Sequence, residues 1–207
     1  MIRPVTAVAA TVLLYGALAL GANSAVADGL DADAREAIAE LREGTLDKLV
    51  IHDEAREFKS EAFVDGNGGP VTMADFEGKV VLLNFWATWC PPCRAEMPSI
   101  DRLSGELGGE DFHVVALSLD RGHVGRIEKF FGEIAVEHLA IYQDAKNKTA
   151  RSASILGLPV TVILDREGQE IARLTGDAEW DSESAKAIVA HVIEATSSGA
   201  ERAEVSK

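Results

Sequence analysis

An apolar run that leads straight into a pair of cysteines constrains this chain more than any other stretch: Val80-Val81-Leu82-Leu83-Asn84-Phe85-Trp86-Ala87-Thr88-Trp89-Cys90-Pro91-Pro92-Cys93. Its first four residues are β-branched or Leu, and Glu77-Gly78-Lys79 bounds them upstream. That composition suits a central strand covered on both faces. Pro91 and Pro92 lack the N–H groups that the first turn of a helix leaves unpaired, and their fixed φ suits that turn. The stretch therefore predicts a strand, a tight turn and a helix, with Cys90 at the helix N-cap under the positive end of the dipole. Such a position favours thiolate over thiol. The two-residue spacing lets the sulfurs approach to bonding distance.

Cys90 and Cys93 are the only cysteines in 207 residues. A structural zinc site needs four Cys/His ligands, and the histidines (His52, His113, His123, His138 and His191) form no pair at ligand spacing. No metal site is expected. An inert structural disulfide is the bland alternative, but so short a loop constrains the unfolded chain little and stabilises weakly. The strand–turn–helix context favours redox activity.

Trp89-Cys90-Pro91-Pro92-Cys93, preceded by Asn84-Phe85-Trp86-Ala87-Thr88, resembles the active site of the thioredoxin superfamily. More narrowly, it resembles the TlpA/ResA-like extracytoplasmic thiol:disulfide oxidoreductases, over residues 58–196. A second anchor is Gly157-Leu158-Pro159-Val160-Thr161. Taken alone, it supports a proline heading a strand, where the missing N–H is tolerated; the resemblance implies that Pro159 is cis and lies beside the cysteines. The hairpin suggested by Asp65-Gly66-Asn67-Gly68-Gly69-Pro70 and the single turn at Asp75-Phe76-Glu77-Gly78-Lys79 are features of TlpA/ResA-like and peroxiredoxin-like members that plain thioredoxins lack. The implied fold is α/β and thioredoxin-like: a central mixed sheet flanked by helices, with an N-terminal hairpin and a helical extension. Alternating strand and helix patterns, followed by a hairpin at residues 160–174 and a last helix, agree with it.

The expected catalytic set is Cys90, Cys93, Glu96 and Pro159, within an environment of Trp89, Pro91, Pro92, Asn84 and Leu158. Cys90, the more exposed, attacks; Cys93, one turn into the helix, is buried and resolves the mixed disulfide. Glu96 lies three residues after Cys93, on the same helical face. In the family a glutamate here is implicated in proton handling, and burial would raise its pKa enough to exchange a proton with Cys93. Stabilising the helix N-terminus is its competing role. Asn84 stands where ordinary thioredoxins carry a buried aspartate, which makes Glu96 the better proton carrier. Trp86 reads as packing, whereas Trp89, beside the nucleophile, also lines a substrate surface. No cofactor is expected beyond the redox-active disulfide.

Around this domain the chain divides into three further parts. Residues 1–27 read as a signal peptide or a membrane anchor: Arg3 supplies a positive start, residues 5–20 are nearly all apolar, and Ala25-Val26-Ala27 fits a small-x-small cleavage site. Residues 28–57 read as an N-terminal helical extension, from Ala34, Ala37, Ile38 and Leu41 at helical spacing and a second apolar patch at Leu46, Leu49, Val50 and Ile51. Residues 197–207 read as a disordered polar tail. A net charge of −14 argues against nucleic acid as a partner.

The expected function is that of a periplasmic thiol:disulfide oxidoreductase, secreted or anchored in the inner membrane and acting mainly as a reductant. By resemblance, its substrates are cysteine pairs of apocytochrome c or of copper-delivery proteins, and its electrons come from a membrane dithiol donor of the DsbD/CcdA type. Two other readings are weighed. A peroxiredoxin-like peroxidase needs a Pro-x-x-x-Thr-x-x-Cys setting; Thr88 precedes Cys90, but no proline stands at the required place. A Sco-like copper-binding assembly module needs wider cysteine spacing and a distant His ligand, a role left to His138 or His123.

Overall fold

The computed structural model describes residues 29–205, with side chains to residue 197; the leader expected over residues 1–27 lies outside the described residues. In chain order the elements are α1 (Ala32–Leu41), a 3-10 turn (Gly44–Lys48), β1 (Val50–Arg56), β2 (Phe63–Asp65), β3 (Pro70–Val71), a second 3-10 turn (Met73–Phe76), β4 (Val80–Trp86), α2 (Pro91–Leu107), β5 (Phe112–Ser118), α3 (Gly125–Glu133), β6 (Tyr142–Gln143), α4 (Lys148–Ser152), β7 (Val160–Leu164), β8 (Glu170–Thr175) and α5 (Glu183–Val205). The eight strands form one mixed sheet in the order β1-β8-β7-β4-β5-β6-β2-β3. This is a thioredoxin-like α/β fold. Among the described residues no helix is long and apolar enough to cross a membrane.

β4 is the centre of the sheet, and every one of its residues is buried. It pairs parallel with β5, from Val80 opposite Phe112 to Trp86 opposite Ser118, and antiparallel with β7. Because successive side chains on a strand point to opposite faces, β4 feeds two cores. Val80, Leu82 and Trp86 join Met97, Ile100 and Leu103 of α2 and the buried stripe of α5. Val81, Leu83 and Phe85 join Val115, Leu117, Val162 and Ala150 on the other face. Alternation assigns Asn84 to the α2 face, a polar residue among apolar ones, and there it has partners (below).

The predicted hairpin forms as β2 and β3, with Phe63 opposite Val71. Its turn is built by Asp65, whose Oδ1 accepts from the N–H groups of Asn67 and Gly69, both at 2.8 Å. Gly68 takes φ +83°, which a side chain would strain.

Three expectations need correction. The extension over residues 28–57 is helical only in its first half. Asp31 caps α1 by accepting from the Ala34 N–H at 2.8 Å, and Ala34 and Ile38 are buried. Residues 50–56, however, are β1, an edge strand paired antiparallel with β8. The β-branched Val50 and Ile51 suit a strand, and β8 would otherwise be an open edge. Residues 28–57 thus add a strand to the sheet as well as a helix to its flank, and Leu30, Ala34, Ile38, Leu46 and Leu49 pack into the same core. Second, the apolar run Leu139-Ala140-Ile141-Tyr142 reads as a short strand, but only Tyr142–Gln143 forms one, as β6. The backbone N–H groups of His138 and Leu139 donate instead to Asp101 Oδ1, at 2.8 and 3.1 Å. Third, the tail from residue 197 is not a break: α5 continues to Val205. Ala200, Glu201, Arg202, Ala203 and Glu204 are all residues of good helix propensity apart from any packing.

Candidate active site

The site forms where β4 ends. Cys90 is the N-cap of α2, with Pro91 and Pro92 as its first two residues. The Cys93 N–H, one of the orphan donors of a helix start, donates to Cys90 Sγ at 3.3 Å. The two sulfurs form a disulfide, with Cα atoms 5.3 Å apart. Cys93 is buried as expected, at 0% exposure, and Cys90, at 4%, is more enclosed than expected. What separates them is access: Cys90 lines an open groove and Cys93 does not.

That groove has a volume of about 450 Å³. Residues 89–92 contribute one part of its lining and residues 155–158 another, together with Leu119 and Asn147. Trp89 is 65% exposed and Leu156 99%, an unusual display for large apolar side chains. Trp86 is wholly buried, its ring stacked on Phe131, so it packs. The Leu158–Pro159 peptide bond is cis. Pro159 is buried, its carbonyl accepts from the Gly176 N–H at 2.9 Å, and Leu158 lines the same groove as Cys90.

One turn beyond Cys93 on α2 lies Glu96, 4% exposed. The Asn84 amide donates to its Oε1 at 2.9 Å, and the Ala178 N–H donates to its Oε2 at 3.1 Å. The second N–H of Asn84 goes to Thr161 Oγ1 at 2.9 Å, across the register that sets Asn84 opposite Thr161. An asparagine here thus supplies donors that an aspartate would lack. Burial pushes the Glu96 carboxyl up to about 7. The bonds from Asn84 and Ala178 and the nearby Trp180 indole N–H pull the other way without overcoming it, and the neighbouring Asp177 charge adds to the rise. A carboxyl poised near neutrality on the face of α2 that carries Cys93 is suited to receive or return a proton.

One residue of the site was not singled out from the sequence. Asp120, wholly buried, holds the loop before Cys90. The Thr88 N–H donates to its Oδ2 at 2.8 Å, the Thr88 hydroxyl to its Oδ1 at 2.7 Å and the Ser118 hydroxyl to its Oδ2 at 2.8 Å. The signal lay in the register: with Trp86 opposite Ser118 on parallel strands, continuing both chains by two residues brings Thr88 to Asp120. Arg94, a candidate for positive charge near Cys90 that reads more readily as an exposed, solvated side chain, is exposed; its guanidinium lies 4.3 Å over the Phe130 ring and donates to the Thr88 carbonyl at 3.3 Å, so it also braces the same loop. Among the described residues, no three His, Cys, Asp or Glu side chains are grouped to hold a metal ion.

The chain's relatives agree with this arrangement. The Redoxin family profile matches residues 50–190, starting where β1 starts. The thiol-disulfide oxidoreductase ResA of Bacillus thuringiensis subsp. konkukian is 28% identical over 131 residues, 63% of this chain and 73% of that protein. ResA of Bacillus subtilis is 27% identical over 112 residues, 54% of this chain and 62% of that protein. Among solved structures, the thiol:disulfide interchange protein DsbE of Chlorobium tepidum superposes with a TM-score of 0.60 at 28% identity, covering 68% of this chain and 98% of that one. The chain belongs to the Redoxin family, in its TlpA/ResA-like branch of thiol:disulfide oxidoreductases, and works by dithiol–disulfide exchange.

Proposed function

We propose that the protein acts on the periplasmic side of the inner membrane, mainly as a reductant of cysteine pairs in apocytochrome c or copper-delivery proteins. A membrane dithiol donor of the DsbD/CcdA type returns it to the dithiol state. Cys90 is the nucleophile. Its thiolate attacks one sulfur of the substrate disulfide, so that a Cys90–substrate bond forms, the substrate S–S bond breaks, and the departing sulfur takes up a proton. Cys93 then loses its proton to Glu96, and its thiolate attacks Cys90 Sγ. The Cys90–Cys93 disulfide closes as the Cys90–substrate bond breaks, the released sulfur takes the proton from Glu96, and the substrate leaves as a dithiol. Two electrons have passed from enzyme to substrate, and the membrane dithiol later supplies two electrons and two protons. Pro159 holds the residues 155–158 part of the groove against Cys90.

The observation that carries this reading is a cysteine at a helix N-cap, with its sulfur accepting a backbone N–H and opening on a groove, while its partner is buried on the face of α2 that also carries Glu96. The decisive test is the reduction potential of the Cys90–Cys93 couple in glutathione or dithiothreitol buffers. The expected value is near or below thioredoxin's, about −270 mV. A value near that of DsbA, about −120 mV, makes the protein an oxidant of folding chains and overturns the direction proposed.

A further inference from the structure

The rim of the groove carries charge opposite to the chain as a whole. The formal net charge is −14, yet residues 119–124 and 139–158, the two segments that run into the groove beside Cys90, hold acids only at Asp120 and Asp144. Both are buried. Their carboxylates are engaged from inside, Asp120 by Thr88 and Ser118, and Asp144 by the backbone N–H groups of Lys148 and Ala150.

The same two segments carry Arg121, Lys146, Lys148 and Arg151, all exposed. Lys146 and Lys148 flank Asn147, a residue of the groove lining. Arg151 lies on α4 ahead of Ile155, and Arg121 follows Leu119, both also lining residues. Among the described residues none of these four side chains forms an ion pair or a hydrogen bond. Several surface cations elsewhere are matched, Arg102 with Asp181, Lys186 with Glu106 and Glu183, Lys129 with Glu133; exposed Arg56 and Arg126 stand unpaired among the described residues, but singly and not as a set. Glu61 is an exposed acid brought to α4, but through its backbone, which exchanges hydrogen bonds with Thr149 Oγ1. An acidic protein has thus left a set of cations unpaired around its one reactive sulfur.

We propose that the groove takes an acidic segment of its substrate protein: an extended stretch in which the attacked cysteine is flanked by an apolar side chain and by Asp or Glu. Exposed Trp89 and Leu156 meet the apolar residue, and the four cations draw in the carboxylates. The inference rests on the exchange reading of Cys90 and narrows its substrate class. Basic segments are disfavoured by the local cations at the rim, which outnumber the exposed Glu61 brought to α4.

The test uses the full chain reduced with dithiothreitol and then freed of it. Three peptides share one intramolecular disulfide with a neighbouring Leu and differ only in their flanks: Asp/Glu, Ser or Lys. The readout is the second-order rate at which each oxidises the Cys90–Cys93 dithiol. At low salt the acidic peptide should react roughly tenfold faster than the basic one, and the ratio should fall towards one as about 1 M salt shortens the screening length to about 3 Å. In the triple variant Lys146→Glu/Lys148→Glu/Arg151→Glu the ratio should invert; being taken within one protein, it cancels any loss common to all substrates. A ratio near one at low salt, or one that the charge reversal leaves unmoved, overturns the proposal. If that variant does not fold, the salt dependence of the unmodified chain and the same ratio in Arg121→Glu decide it. The serine peptide separates the two levels of inference. If it reacts while acidic and basic peptides are equal, only the charge proposal falls; if no peptide reacts, the exchange reading falls with it.

Discussion

The cysteine pair stands between two regions built on opposite terms. Inward, polar side chains are enclosed and matched: Asn84 to Glu96 and Thr161, Glu96 to the Ala178 N–H, Asp120 to Thr88 and Ser118. Outward, along the groove, nothing is matched: Trp89 and Leu156 are exposed, and Arg121, Lys146, Lys148 and Arg151 have no ion pairs among the described residues. A buried polar group left unpaired costs free energy, whereas an exposed one is solvated. The enclosed side is therefore mostly paired in the resting protein, with Asn84 Oδ1 and the Trp86 and Trp180 indole N–H groups as exceptions, while the open side has room for a partner to complete it. Residues of the first kind set the position and protonation of the sulfurs; residues of the second kind select what reaches them.

The comparison predicts that stability losses concentrate on the enclosed side, and Asp120→Ala should show the largest. It strands the Thr88 N–H and the hydroxyls of Thr88 and Ser118 without their acceptor, a loss of about 3 kcal/mol. Urea unfolding monitored by tryptophan fluorescence measures it. Asp120→Asn keeps one carbonyl acceptor and should lose less than half as much. Equal losses in the two variants would mean that the hydrogen bonds to Thr88 do not hold the loop.

Glu96→Gln should act with a sign that depends on pH. Below about pH 4.5 the Glu96 carboxyl is protonated whether the chain is folded or not; the folded chain keeps that proton until about pH 7. Between those values only the unfolded chain ionises the group, so the wild type loses stability as pH rises, and above 7 the penalty is complete. Glutamine carries no such penalty. The variant's stability relative to wild type should therefore rise from pH 4.5 to pH 8 by up to about 3 kcal/mol, at about 1.4 kcal/mol per pKa unit. A difference that stays flat across that range would show Glu96 to be ionised throughout and unfit to carry the Cys93 proton.

The two regions also differ in how far they could be read from the sequence. The strand, the turn, both cysteines, the prolines and the place of Glu96 on α2 are local features, set by residues a few positions apart. The disulfide and the cis Leu158–Pro159 bond lie where the resemblance placed them. The enclosed lattice was only half legible. Asn84 and Glu96 were visible as residues, but the Ala178 N–H reaches Glu96 from 82 positions away, and Asp120 looked like the end of a strand. β1 was hidden for a similar reason: its edge pairing with β8 spans more than a hundred residues, and Leu46 and Leu49 just before it carry no period-two pattern. The open rim escaped for another reason. Lys146, Lys148 and Arg151 are scattered among neutral residues, and only the burial of Asp120 and Asp144 shows that their charge stands uncompensated at the surface.

The smallest expected change in stability sharpens the comparison most, because it separates function from fold. Leu156→Ser alters a side chain that is 99% exposed and should move unfolding free energy by no more than about 0.5 kcal/mol. Trp89→Ala, at 65% exposure, should lose little more. Both should nevertheless slow the oxidation of the reduced enzyme by disulfide peptides that carry an adjacent Leu, since each removes apolar surface that such a peptide would cover, worth about 25 cal/mol per Å². Hydroxyethyl disulfide, too small to span the groove, is the control: its rate reports the Cys90 sulfur rather than the groove. Slower peptide exchange with an unchanged control rate places the loss in docking. Equal slowing of both would mean that Trp89 and Leu156 act on the sulfur itself, and the division between an enclosed side that sets the chemistry and an open side that selects the partner would not hold.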